Sequence, residues 1–244
     1  MTDELLVLAK RLISYETCEP EAISKAAGFV EGWLEAQGIE SERDEARGLP
    51  VIKAEVGPED APTVVLHGHL DVVPGFPGQF QPKVEGDRLF GRGAYDMKGA
   101  IAAMLLVTAA MRDQDQVRVR LGIVGDEESE EDAERGSDHL VDTGFTGDFA
   151  ITGEPTDLHI GIEAKGVLAL RLEVGGTAAH GATPWLGDNA VLNAIDVFRS
   201  IESLPFAKHS SELFDRPSIN LGRIVGGDAL NKVPDRCEIG RAHV

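Results

Sequence analysis

The chain opens on an amphipathic pattern. Leu5, Leu6, Leu8, Ala9, Leu12 and Ile13 recur at helical spacing, with Thr2 or Asp3 placed to cap the helix. A second helix is predicted over residues 20–37. Pro20 suits its first turn, Gly38 its C-terminal cap, and Ile23, Ala26, Ala27, Val30 and Leu34 form one apolar stripe. The period then shortens. Residues 51–56 and 63–66 are short apolar runs, and Val117, Val119, Leu121 and Ile123 alternate with Arg118, Arg120 and Gly122 as a strand with one buried face does. Residues 148–152 form a further short strand, and 100–111 are a near-continuous apolar helix. Residues 74–92, rich in Pro and Gly, read as a long loop with at most a brief strand, and loops of that length are often functional. Helices first, then strands separated by a helix, is the order of an α/β domain on a central sheet.

From residue 165 the pattern changes again. Residues 166–174 alternate as a strand, 175–181 form a small-residue loop carrying His180, and 189–201 are an amphipathic helix. Residues 218–225 and 229–239 read as two strands joined across Gly226-Gly227-Asp228, so the segment is the first part of a split βαβ domain. The expected division is 1–164, 165–238 and a short tail, 239–244.

The apolar runs end in candidate chemistry. Residues 63–66 lead into His67-Gly68-His69-Leu70-Asp71, where His69 and Asp71 point the same way in extended chain. A carboxylate so placed can hold the second ring nitrogen of a metal-bound histidine. Asp96 precedes the helix at 100–111, the strand at 117–123 leads to Asp126-Glu127-Glu128, and 148–152 leads to Gly153-Glu154. Taken singly, these have ordinary readings: a polar loop, an N-cap aspartate, a solvated charge run that continues through 130–134. Together they arrive at strand and helix ends, where open α/β sheets place their ligands. Carboxylates brought together repel unless a cation lies among them.

Composition narrows the partners. Hydrophobic residues, 42% of the chain, supply a core, and a net charge of −19 argues against nucleic acid or an anionic membrane. Cys18 and Cys237 make no Cys-x-x-Cys, so any metal would be held by histidine and carboxylates. The N-terminal residues lack the basic and apolar regions of a signal peptide, and no apolar run approaches the roughly 18 residues that span a bilayer. The expected location is the reducing cytoplasm.

The motifs His67-Gly68-His69-Leu70-Asp71-Val72-Val73-Pro74, Gly91 to Gly99 around Asp96-Met97-Lys98, Asp126-Glu127-Glu128 and Gly153-Glu154-Pro155-Thr156 resemble those of the co-catalytic zinc amidohydrolases. That family includes acetylornithine deacetylase, succinyl-diaminopimelate desuccinylase, aminoacylase, glutamate carboxypeptidases and dipeptidases. The resemblance covers nearly the whole chain. It implies a zinc-peptidase-like α/β catalytic domain, a central mixed sheet flanked by helices, plus an inserted α+β ferredoxin-like lid and dimerisation domain, both incomplete. It also implies two zinc ions, with cobalt or manganese as alternatives. His69 and Glu154 would bind one ion, Asp96 would bridge, and Glu128 would bind the second. Asp71 would orient His69, His67 would be structural, and a cis peptide would follow Asp96. Glu127 would be the general base toward a metal-bound hydroxide. His180, from the lid of a homodimer, would help stabilise the oxyanion in the partner's site, with Asn231 near substrate.

The activity so implied is hydrolysis of the amide bond of an N-acyl amino acid or small peptide. The alternatives are a dipeptidase or carboxypeptidase of the same family, a non-catalytic binding relative, and a dimetal phosphoesterase. Members of the family are longer and carry a further histidine ligand that His243 does not match. The second ion is thus left with Asp96 and Glu128, and the 244-residue chain is expected to be nearly inactive. Its ending, Ile239-Gly240-Arg241-Ala242-His243-Val244, is what ATC GGA AGA GCA CAC GTC encodes, a common sequencing-library adapter. A longer gene is expected; a natural stop codon after Val244 would sink that idea.

Overall fold

The first apolar stripe folds as helix α1 (Asp3–Ile13), which buries Leu8, Ala9, Leu12 and Ile13. Helix α2 (Pro20–Ala36) follows with Pro20 in its first turn and the predicted stripe buried; Gly38, just beyond it, has φ +72°. The structure, a computed structural model, describes residues 3–128, 135–162 and 164–240. The chain divides into two units, Met1–His159 and Ile160–Val244.

In the first unit, strands β1 (Ser41–Ala46), β2 (Leu49–Val56) and β3 (Thr63–His69) precede a two-stranded hairpin, β4 (Lys83–Glu85) and β5 (Arg88–Phe90). Helix α3 (Lys98–Ala110), strand β6 (Arg118–Val124), the short helix α4 (Gly136–Asp142) and strand β7 (Phe149–Thr152) complete it. The sheet order is β1-β2-β6-β3-β7, with β3 parallel to both neighbours and β2 antiparallel to both of its own. This is the mixed sheet flanked by helices that the sequence leads one to expect. Helices α1 and α3 pack on each other, and α2 lies on β2.

Two elements depart from the sequence reading. Strand β1 has no apolar alternation; a tight turn at Arg47 (φ +55°) and Gly48 (φ +76°) folds it back on β2 along its whole length, and charged side chains add contacts. Arg43 reaches Glu31 at 3.2 Å and Ser24 Oγ at 2.5 Å on α2, while Asp44 takes Lys53 at 2.8 Å and His139 at 3.2 Å. Strand β3 runs past its apolar residues, pairing His67 with Gly122, Gly68 with Ile123 and His69 with Val124. A Cβ on Gly68 would stand 2.8 Å from Met97 Cε, and one on Gly153, just after β7, 2.5 Å from Ala100 Cβ. These glycines let α3 lie directly against the two strand ends.

The second unit has strands β8 (Leu172–Gly175), β9 (Ile224–Gly226) and β10 (Arg236–Ile239) in the antiparallel order β8-β10-β9. Helix α5 (Ala190–Glu202) buries Ala190 and Ala194 against Cys237 and Ile239, and its N-cap Asn189 accepts from Val191 N and Leu192 N. The β-α-β-β order is as predicted, but the strands are short. Leu168 and Leu170, in the expected first strand, are exposed. Alternation marks a face that could be buried, whereas a ladder also needs a neighbour. Ile239, expected to open the tail, pairs with Leu172 and Ile224. Residues 241–244, with His243, and the acidic residues 130–134 lie outside the described residues. Among the described residues no helix is long and apolar enough to cross a membrane.

Candidate metal centre

His69 is the last residue of β3 and is wholly buried. Its Nδ1 donates to the Asp71 carbonyl at 3.0 Å, so Nε2 faces a group of carboxylates: Asp96 Oδ1 at 3.1 Å, Glu154 Oε1 at 3.6 Å and Glu127 Oε2 at 4.0 Å. One ligand atom from each of His69, Asp96 and Glu154 lies within 4.8 Å of the others. Three elements deliver them: the end of β3, the approach to α3 and the exit of β7. Asp96 is not the N-cap of α3. That position is Met97, which makes no side-chain cap bond, and the Asp96–Met97 peptide is cis.

Asp71 holds this group from behind. Its Oδ2 accepts the Glu128 N–H at 2.7 Å, and its Oδ1 lies 3.3 Å from His69 Nδ1. The carbonyl of Asp71, nearer than its carboxylate, is thus the main fix on the ring. Glu128 stands outside the close trio, but its carboxyl is pushed up by burial and then by the Asp96 charge. Glu154 is likewise raised by burial, with Asp96 and Glu127 adding to the effect. Carboxylates held up in this way, around a ring nitrogen whose partner nitrogen is fixed, suit a divalent cation. The residues present therefore fit the metal that the motifs imply.

Other acids and histidines here do different work. Asp126 spends both oxygens on Gly136 N, at 3.0 and 2.9 Å, tying together the ends of the acidic segment. His67 Nε2 meets Ser137 Oγ at 2.9 Å. In the second unit His180 Nδ1 accepts from Ala182 N at 3.1 Å, which leaves the hydrogen of the neutral ring on Nε2, and the Asn231 carbonyl accepts from Gly181 N at 2.7 Å. Sequence reasoning missed two contacts. Arg135 Nη1 stands 3.7 Å from Glu127 Oε1, and its signal was being the first base after the acidic run. Tyr95 Oη donates to Asp157 Oδ1 at 2.9 Å, linking the loops that carry Asp96 and Glu154.

Burial disfavours charge on His69, yet Asp71, Glu127 and Glu154 outweigh it and push the ring up to about 9 from its ordinary 6.5. In the metal-free protein the stabilisation from this charged ring is therefore full below pH 6.5 and lost as pH rises through about 9. Metal binding runs the other way, because the ion must displace the proton. Zinc affinity is expected to rise by up to about tenfold per pH unit from neutrality and to flatten near the His69 value. Calorimetry in buffers of different ionisation enthalpy should show about one proton released per ion at pH 7. A flat affinity across that range would contradict this protonation state.

Comparison with known proteins places the chain in a family. The profile of peptidase family M20/M25/M40 matches residues 65–232. A succinyl-diaminopimelate desuccinylase of Erythrobacter litoralis is 31% identical, with 96% of this chain and 67% of the relative covered. A probable carboxypeptidase of Aspergillus oryzae is also 31% identical, with 84% of this chain and 53% of the relative covered. The chain thus spans about two-thirds of the first and about half of the second. In fold it is similar to an M20 family metallo-carboxypeptidase from Sulfolobus solfataricus: TM-score 0.69, 18% identity, 98% of this chain and 70% of the other covered.

Proposed function

The chain belongs to peptidase family M20/M25/M40, and from that premise we propose that it serves a metal-dependent hydrolase cleaving the amide bond of an N-acyl amino acid or small peptide. The observation that carries this reading is the convergence of His69, Asp96 and Glu154 within 4.8 Å, with Glu127 beside them. His69, Asp96 and Glu154 would hold one divalent ion, and Glu128 with Asp96 would serve a second. Zinc is the default for this nitrogen and carboxylate set, with cobalt or manganese as substitutes. Such an ion, when bound, supplies Lewis acidity toward the scissile carbonyl and toward water.

The chain's own residues do the rest. Glu127 takes the proton of the attacking water and passes it to the leaving amine. Asp71 keeps the His69 ring in register and pins the Glu128 backbone. His180, with its hydrogen on Nε2, donates to the developing oxyanion across a homodimer joined through the second unit. The protein works in the cytoplasm on small substrates. The enzyme that this chain belongs to, loaded with zinc or cobalt, is expected to release free amine from a panel of N-succinyl and N-acetyl amino acids and dipeptides. Phosphate release from esters without amide cleavage would replace this reading with a phosphoesterase.

A further inference from the structure

Asp71 fixes the ring of His69 and the backbone of Glu128, and it is itself held by an element far away in sequence. Thr17 sits in the turn between α1 and α2 and is wholly buried. Its Oγ1 donates to the Leu70 carbonyl at 2.6 Å, and its own carbonyl accepts the Val72 N–H at 3.1 Å. Both neighbours of Asp71 are therefore fastened to one residue. The same turn is tied to α3, because the wholly buried Lys98 donates from Nζ to the Tyr15 carbonyl at 2.7 Å. The turn thus braces the exit of β3, which carries His69, against the start of α3, next to Asp96.

We propose that Thr17 is a positioning residue of the metal centre. It holds the backbone at Leu70 and Val72 so that the Asp71 carboxylate meets Glu128 N at 2.7 Å while lying 3.3 Å from His69 Nδ1. The inference rests on the metal-centre reading given above. A buried carbonyl that loses its donor turns to find another or stays unpaired, and either outcome shifts the peptide. Here the shifted peptides flank Asp71, so the loss passes to the ring angle of His69. A threonine that merely anchors a turn would have a different signature: its removal would lower stability and leave the metal alone.

Zinc affinity of the 244-residue protein, measured by competition with a chromogenic chelator, separates the two roles. Thr17→Val, which keeps the shape and removes the hydroxyl, is expected to weaken zinc by about tenfold, the low end of what loss of an outer partner costs. Thr17→Ser restores binding to within about twofold of wild type. Asp71→Asn weakens zinc by about 10–100-fold, and Thr17→Val added to it costs less than it does alone, because the two share the Asp71 carboxylate while the Asp71 carbonyl still holds the ring. If Thr17→Val does not fold, Thr17→Ala carries the same expectation. A lowered thermal midpoint with wild-type zinc affinity, or full additivity with Asp71→Asn, overturns the inference alone. Wild-type protein that binds zinc no better than His69→Ala removes the metal reading and this inference with it.

Discussion

Replacing Glu127 with glutamine is expected to lower kcat by about 10²–10⁴-fold while zinc binding survives, the range general acid–base catalysis contributes. Glutamine keeps the shape of the side chain and one acceptor oxygen but carries no charge and takes no proton. Glu127 Oε2 lies 4.0 Å from His69 Nε2, while the close trio of ligand atoms comes from His69, Asp96 and Glu154. Arg135, 3.7 Å from the other carboxylate oxygen, pairs with the charged form only. The split between lost turnover and kept metal identifies a base rather than a ligand. Steady-state kinetics of the active enzyme, with zinc measured on the same samples, provides the check. Unchanged kcat would remove Glu127 from the mechanism.

The second large effect concerns binding. His69→Ala removes the only nitrogen of the trio and leaves Asp96 and Glu154 facing each other without it. Zinc affinity should fall by more than the roughly 10–100-fold that loss of an outer partner costs. A ligand that binds only the folded state raises its melting temperature. Wild-type protein should therefore melt higher with zinc, and the variant should not respond. An undiminished zinc-dependent shift in His69→Ala would place the ion elsewhere.

Much of this was readable along the chain, for a local reason. The stripe of α2 repeats at helical spacing, and His69, Asp96 and Glu154 each stand beside the end of an apolar run. What stayed hidden depends on partners distant in sequence. Strand β1 is polar, and that Arg43 meets α2 while Asp44 meets Lys53 and His139 could not be read from its own residues. Asp126 looks like a third member of the acidic site, yet its carboxylate is spent on Gly136 N. Thr17 looks like any turn threonine until Leu70 and Val72 are placed beside it. Asp71 was readable as the orienter of His69, but not that its carbonyl would stand closer to the ring than its carboxylate does.

The two glycines under α3 bear on how closely the helix can approach the strand ends that carry the centre. At Gly68 and Gly153 the helix lies so close that an added Cβ would stand 2.8 and 2.5 Å from side-chain atoms of Met97 and Ala100. The backbone segments bearing His69 and Glu154 are consequently seated directly against the start of α3. A methyl at position 153 would meet the Ala100 Cβ, so the same closeness that seats α3 leaves the backbone just ahead of Glu154 no space for a side chain.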